Sequence, residues 1–138
     1  MKIVETKPPS FPEVAHERPI ETRKGVRWQV LCGDAGHWRV GIYSPPESSR
    51  DEVKELEKHD CPEFFLLLYG RLTLVVAEEG GIKEIPLEAG KPALVSAPHS
   101  GFCPDGGYTG AALVIERDAF TTEYRSIIEW VSPRWGES

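Results

Sequence analysis

Histidine and glutamate side chains recur at even spacing in one short stretch of the chain, at Glu57, His59 and Glu63. Residues 64–69, which follow, are all aliphatic or aromatic and end at Gly70. If this stretch is extended, the three side chains share one parity and point to the same side. A carboxylate at the start of such an apolar strand is costly unless it meets a cation or hydrogen-bond donors. Imidazole and carboxylate together suit Mn, Fe, Ni, Co or Zn, so we predict a divalent transition-metal site and no organic cofactor.

His99 is the second candidate for the same site. It follows an apolar run at residues 93–97 and lies between Pro98 and Ser100. Such neighbours favour a strand end that opens into a cavity over a packed core position. We therefore expect His99 to face the same pocket as the first stretch.

Each candidate also has an interpretation without metal chemistry. Glu57 can be a solvated residue in a turn, and a helix through this stretch would direct it to water. His59 can be a polar pocket residue that binds no ion. Glu63 can accept hydrogen bonds from backbone N–H groups or from Arg39 or Arg71.

Five further side chains are expected to line the pocket. Phe65 and Tyr69 continue the strand parity of Glu63. Cys61 and Cys103 share the strand parity of His59 and His99, respectively. Tyr43 is aromatic and ends an earlier apolar run. The cysteines are odd in number and include no CxxC pair, which favours reduced thiols and leaves a Cys61–Cys103 disulfide open.

Short apolar runs separated by turn residues make up most of the chain, a pattern typical of an all-β sandwich or barrel. The runs occupy residues 28–32, 38–43, 64–69, 72–77, 82–87, 93–97 and 111–116. The stretch from Ser49 to Glu52 has the form of a capping box, which predicts a short surface helix over residues 50–58. Apolar residues between Phe120 and Trp135 recur at roughly helical spacing, which predicts a helical tail.

The length of 138 residues suits one folded domain. We expect an extended, proline-rich arm at residues 1–25, a β-barrel at 26–118, and a tail at 119–138 that packs on the barrel or on a partner subunit. The run at residues 64–69 is apolar on both faces, as where a second subunit covers a barrel wall. With the arm and the tail, it predicts a homodimer.

Charge and hydropathy exclude several classes of partner. The formal net charge of −6 argues against a nucleic-acid-binding surface. No apolar run approaches the roughly 20 residues needed to cross a bilayer. The first residues, MKIVETKPPSFPEV, lack the apolar stretch of a signal peptide. We expect a cytoplasmic protein that binds a small-molecule ligand or substrate, with no nucleic acid or membrane partner.

The first candidate stretch resembles the first conserved motif of the cupin superfamily. In that motif two histidines, one residue apart, precede a glutamate and then, seven residues later, a glycine. His59 matches the second histidine, Glu63 the glutamate and Gly70 the glycine, whereas Glu57 takes the place of the first histidine.

The second candidate stretch resembles the second cupin motif, in which a strand begun by glycine leads through a proline-containing turn to a histidine. Gly90, Pro98 and His99 match, although the turn lacks the usual glycine and is two residues shorter. The resemblance spans about residues 28–116. It implies an all-β fold of the double-stranded β-helix or jelly-roll type.

The resemblance implies three functions that the residues leave open. The first is a metal-binding enzyme of the dioxygenase, isomerase or decarboxylase type that acts on a small oxygen-rich molecule. The second is a non-catalytic binding or sensor barrel, because EKHDCPEFFLLLYG resembles the sugar-binding barrels of arabinose-type transcription regulators. The third is a metal-free enzyme like the sugar epimerases, with His59 or His99 as base and Tyr69 or Tyr108 as acid.

Overall fold

Two antiparallel β-sheets make up most of the molecule, which confirms the all-β prediction. The computed structural model describes residues 1–8 and 17–132. The strands are β1 (Lys2–Thr6), β2 (Trp28–Asp34), β3 (Trp38–Tyr43), β4 (Glu55–His59), β5 (Glu63–Tyr69), β6 (Thr73–Glu78), β7 (Gly81–Pro86), β8 (Ala93–Val95), β9 (His99–Phe102), β10 (Ala111–Arg117) and β11 (Phe120–Ser126). One sheet has the order β1-β11-β4-β9-β6-β7 and the other the order β2-β3-β10-β5-β8.

The hydrophobic core lies where the two sheets face each other. Alternate residues of β5, β6 and β10 point inward and bury Phe65, Leu74 and Val114 almost completely. A smaller cluster around Leu56 packs against the helix α1 (Ile127–Val131). There the indole of Trp130 donates a hydrogen bond of 3.0 Å to the Leu56 carbonyl.

The surface helix predicted over residues 50–58 is wrong beyond its first turn. Arg50–Glu52 forms a single 3-10 turn, and the chain then continues into β4. The side chain of Ser49 makes no capping hydrogen bond, so the bond that would stabilise a helix is missing. Strand β4 instead pairs with β11 on one side and β9 on the other, and this tertiary pairing outweighs the local helical pattern.

The helical tail predicted from Phe120 onward is wrong over residues 120–126. These residues form β11, which lies between β1 and β4, and the helix is limited to α1. Ser126 and Glu129 form a capping box that starts the helix after the strand has ended. Trp135 lies outside the described residues.

The N-terminal residues add a strand to the edge of the six-stranded sheet. Strand β1 pairs with β11, from Lys2 opposite Tyr124 to Thr6 opposite Phe120. Residues 9–16 lie outside the described part of the chain, and the division into arm, barrel and tail stays a prediction. Within the described residues, no helix is long and apolar enough to span a membrane.

Candidate metal centre

Four side chains converge on one point, namely those of Glu57, His59, Glu63 and His99. Each offers one ligand atom, and these atoms all lie within 4.8 Å of one another. Oε1 of Glu63 lies 2.5 Å from Nε2 of His59 and 2.9 Å from Nε2 of His99. Oε1 of Glu57 lies 3.6 Å and 3.9 Å from the same two nitrogens. The structure therefore brings together all four residues that the sequence predicts as metal ligands.

The geometry of the strands explains this convergence. Glu57 and His59 are two residues apart on β4, so both side chains leave the same face. Glu57 is also the register partner of His99 on the neighbouring β9. Glu63 begins β5 directly after the short connection at residues 60–62. Because β4 is a strand, the Glu57 side chain lies on the same face as His59 and is only partly exposed.

A hydrogen bond on the far side of each imidazole fixes the orientation of the ring. Nδ1 of His99 lies 2.9 Å from the carbonyl oxygen of Ala97, and Nδ1 of His59 lies 2.7 Å from Oγ1 of Thr122. A carbonyl oxygen only accepts, so Nδ1 of His99 carries the proton and donates it. With Nδ1 engaged in this way, each Nε2 faces the cluster and can offer its lone pair to an ion.

Without an ion, the cluster is a set of imidazolium–carboxylate contacts. Burial alone would lower the pKa of His59, but the Glu57 and Glu63 carboxylates raise it to about 10. Burial also opposes the charged form of His99, yet the Glu63 carboxylate raises the pKa of this imidazole as well. Burial would raise the pKa of Glu63, but the two histidines lower it to about 2. A divalent cation would take over the role of the two imidazolium protons.

The four groups fit a divalent transition metal. Oε1 of Glu63 and Nε2 of His99 are buried, and neither makes an aligned hydrogen bond with any described residue, although they lie close together. Ligand atoms about 2.1 Å from an octahedral ion are separated by about 3–4 Å, close to most of the separations in the cluster. Imidazole nitrogen combined with carboxylate oxygen favours Mn, Fe, Co, Ni or Zn.

The cluster faces a cavity of about 680 Å³, a size typical of small-molecule sites, which span about 300–1,000 Å³. Tyr43 of β3 and Phe120 and Tyr124 of β11 line it, and Val4 and Thr6 of the edge strand β1 contribute to its wall. The four converging side chains, which we call the metal cluster, lie in a partly aromatic cavity that can bind a small molecule and shield it from water.

Two of the predicted lining residues, Tyr43 and Phe65, lie next to the cluster. The Tyr43 hydroxyl is buried close to Ser100, with which it makes no well-aligned hydrogen bond, and burial raises its pKa. The ring of Phe65 lies 5.6 Å from that of His99 and 6.4 Å from that of Tyr43, between centroids. Phe65 does not line the cavity and supports the site from the core side.

Like Phe65, the other three predicted lining residues do not line the cavity. Cys61 lies beyond the end of β4 at His59, so the strand parity that linked the two residues is lost. Cys103 follows the end of β9 and is completely buried in the core. Tyr69 is exposed, because a β-bulge in the pairing of β5 with β10 changes its parity relative to Glu63. All three cysteines are free thiols, so the disulfide left open is not formed.

The acid–base pair expected for a metal-free epimerase is not assembled. Tyr69 and Tyr108 are both exposed at the surface, and neither lines the cavity that His59 and His99 face. The tyrosines of the cavity wall are different ones, on β3 and β11.

Three residues of the site are not predicted from the sequence. Arg39 and Glu116 form a buried ion pair in the cavity wall, and Thr122 supports His59. Arg39 shares strand parity with Tyr43 on β3, and this parity indicates the cavity. The sequence gives no signal for Thr122, because the apolar spacing of its segment predicts a helix and not the strand β11.

One curated relative matches part of the chain. No family model matches. The 3-hydroxyanthranilate 3,4-dioxygenase of Xanthomonas euvesicatoria pv. vesicatoria (strain 85-10) is 35% identical over 75 residues, which cover 53% of this chain and 40% of that enzyme. This chain therefore spans less than half the length of the curated relative that it matches.

Solved structures resemble the fold over most of the chain. FeII HppE matches with a TM-score of 0.54 and 23% identity, over 76% of this chain and 58% of that one. A cupin-2 domain containing protein from Shewanella frigidimarina NCIMB 400 matches with a TM-score of 0.50 and 14% identity, over 70% of this chain and 84% of that one. The predicted jelly-roll architecture is thereby confirmed.

Proposed function

The chain has the fold of the cupin superfamily, and from this premise we propose that it is a metal-dependent enzyme acting on a small oxygen-rich molecule. The observation that carries the proposal is the convergence of two imidazole nitrogens and two carboxylate oxygens on one point of a cavity. Dioxygenase, isomerase and decarboxylase chemistry all suit such a site. Similarity to a protein named as a dioxygenase favours the first of these.

His59, Glu63 and His99 would hold the ion most firmly, because they are buried and lie closest together. Two histidines and one carboxylate form the ligand set of many non-haem iron oxygenases. When bound, the ion supplies Lewis-acid or redox chemistry. Glu57, whose side chain is 33% exposed, would be a weaker fourth ligand at the side where a substrate enters.

The other cavity residues would orient the substrate and exclude water. Tyr43 has a buried hydroxyl that makes no well-aligned hydrogen bond with the nearby Ser100, and this hydroxyl can bind a substrate oxygen. Phe120 shields His59, since their ring centroids are 4.7 Å apart. Tyr124 is the register partner of Glu57 and limits the space around that carboxylate.

Elemental analysis of untagged protein purified without chelator tests the metal site. We expect a near-stoichiometric transition metal in the wild type and none in the His59→Ala/His99→Ala double variant. His37→Ala is the matched control, because His37 lies in an exposed turn. Oxygen uptake by iron-reconstituted protein with a panel of phenols and hydroxy acids then tests turnover. Wild-type protein that holds no metal, even after reconstitution with Mn, Fe, Co, Ni or Zn, would contradict the proposal.

A non-catalytic binding barrel is the second candidate. It is favoured by the 2.5 Å contact between His59 and Glu63, which compensates the buried charges of both residues without an ion. Thermal stabilisation by a small ligand, in metal-free protein and without product formation, would support this alternative.

We also propose that the chain forms a homodimer through the outer face of the five-stranded sheet. Leu94, Phe64 and Ile115 form one row across β8, β5 and β10. Leu94 is 72% exposed and Leu68, on the same strand as Phe64, is 44% exposed. Apolar patches of this kind mark interaction sites. Sedimentation should give twice the chain mass of 15.4 kDa for the wild type and a single chain for Leu94→Lys. A wild-type mass of one chain would exclude the dimer.

A cytoplasmic location is part of the proposal. The three cysteines are free thiols, as is common where glutathione and thioredoxin keep thiols reduced. Fractionation of the source cells with an antibody to the chain tests this location.

A further inference from the structure

Arg39 is a buried cation in the cavity wall and does not belong to the metal cluster. It is 8% exposed and lines the same cavity as His59, Glu63 and His99. A buried guanidinium is costly unless its charge is compensated and its N–H groups find acceptors. Arginine carries five such donors in a rigid plane, so the acceptors available to Arg39 can be counted.

The acceptors around Arg39 satisfy only some of its N–H groups. Among the described residues, its hydrogen bonding is limited to a contact of 3.3 Å from Nη2 to Oε1 of Glu116. Strong charge-assisted bonds measure about 2.7–2.9 Å. Nε of Arg39 is buried and has no partner in the described part of the chain. Burial and the negative charge of Glu63 raise the pKa of Glu116 to about 7, although Arg39 itself lowers it.

Aromatic packing holds the Arg39 guanidinium beside the metal cluster. Its central carbon lies 5.3 Å from the ring of Trp28 and 5.0 Å from the ring of Phe120. The indole of Trp28 lies across Gly41, where a Cβ atom would overlap the ring. Phe120 in turn contacts the His59 imidazole. The cation and one proposed metal ligand thus pack against the same phenyl ring.

We infer that Arg39 binds an oxyanion group of the substrate, a carboxylate or a phosphonate, while another oxygen of the same molecule reaches the metal cluster. The inference rests on the proposed function for the second contact only. A guanidinium with free N–H groups matches the paired oxygens of such anions.

Arg27 provides the contrast within the same cavity. Its Nη2 donates to both carboxylate oxygens of Glu47, at 2.7 Å and 3.0 Å, and its side chain is 51% exposed. The charge of Arg27 is therefore already matched by a carboxylate and screened by solvent. This makes Arg27 a matched control for Arg39.

Binding of benzoate and of methylphosphonate to chelator-treated, metal-free protein tests the inference, with benzamide as the uncharged analogue. Calorimetry should show at least one of the two oxyanions binding to the wild type and to Arg27→Gln with equal affinity. We expect at least tenfold weaker binding to Arg39→Gln, and no binding of benzamide. The oxyanion that binds more tightly identifies the class of substrate group.

The Arg39→Gln substitution leaves Glu116 without its partner and can impair folding. The double variant Arg39→Gln/Glu116→Gln removes both charges, and its circular dichroism shows whether it is folded. Unchanged oxyanion affinity in either folded variant, or no oxyanion binding to the wild type, would overturn the inference. A protein that binds oxyanions through Arg39 but never binds metal would support the anion site and contradict the proposed enzyme.

Discussion

His59 and Thr122 face each other in the β4–β11 ladder, and Oγ1 of Thr122 lies 2.7 Å from Nδ1 of His59. Thr122 is 2% exposed, so water cannot easily replace its hydroxyl. The contact engages Nδ1 and leaves Nε2 directed at the metal cluster. Strand β11 therefore takes part in the site together with β4, β5 and β9, although it supplies none of the four proposed ligands.

Replacement of this threonine should weaken metal binding. Thr122→Val keeps the shape of the side chain and removes the acceptor, so we expect about 10- to 100-fold lower metal affinity. Thr122→Ser keeps the hydroxyl and should bind metal nearly as tightly as the wild type. Competition with a fluorescent chelator measures both. Equal affinities for the valine and serine variants would mean that the hydrogen bond does not orient His59.

The two carboxylates of the cluster should contribute unequally. Glu63 lies 2.5 Å and 2.9 Å from the two imidazole nitrogens, whereas the distances from Glu57 are 3.6 Å and 3.9 Å. We therefore expect Glu63→Gln to abolish measurable metal binding and Glu57→Gln to reduce affinity only about tenfold. Glu55→Gln, on the same strand but exposed, serves as the control and should bind like the wild type. If Glu57→Gln and Glu63→Gln lose metal equally, Glu57 is a full ligand.

The metal cluster could be predicted because three of its four residues lie close together in the sequence. Glu57, His59 and Glu63 lie within one short stretch of sequence. Strand parity places Glu57 and His59 on one face of β4, and Glu63 joins them as the first residue of β5, in the other sheet. His99 needed only the further assumption that its strand end opens into the same cavity. Thr122 could not be found in this way, since its role depends on which distant strand pairs with β4.

Strand parity predicted the cavity wall only as far as each strand stays regular. It fails for Cys61 because β4 has already ended, and for Tyr69 because a β-bulge intervenes. The predicted helix at residues 50–58 failed for a related reason. A capping-box pattern is a local preference, and pairing on both sides of β4 outweighs it.

Metal-free and metal-loaded protein should respond oppositely to pH. The carboxylates raise the pKa of His59 from 6.5 to about 10 despite its burial, so its stabilising charge is fully present below about pH 6.5. That contribution is lost as the pH rises towards 10, and the Tm of metal-free protein should fall. An ion binds deprotonated imidazoles, so its affinity should rise over the same range. Thermal unfolding with EDTA or with Zn²⁺ at several pH values should show the difference between the two Tm values increasing with pH.

The double variant His59→Ala/His99→Ala is the control for this pH experiment. It lacks both imidazoles, so its Tm should be the same with EDTA and with Zn²⁺ at every pH. Parallel curves for metal-free and metal-loaded wild type would contradict the assignment of these histidines as metal ligands.

Gly70 and Gly90 both have positive φ, +65° and +76°, but they differ in their surroundings. A Cβ atom on Gly70 would clash with the carbonyl oxygen of Thr109, whereas one on Gly90 would meet no atom within 4 Å. Gly90→Ala should therefore lower the free energy of unfolding only by the cost of placing alanine at positive φ, about 1–2 kcal/mol. Gly70→Ala adds the clash at the end of the strand that begins with Glu63, so we expect a loss above about 3 kcal/mol. Urea unfolding of the two variants separates these effects, and equal losses would mean that the backbone near Thr109 yields without cost.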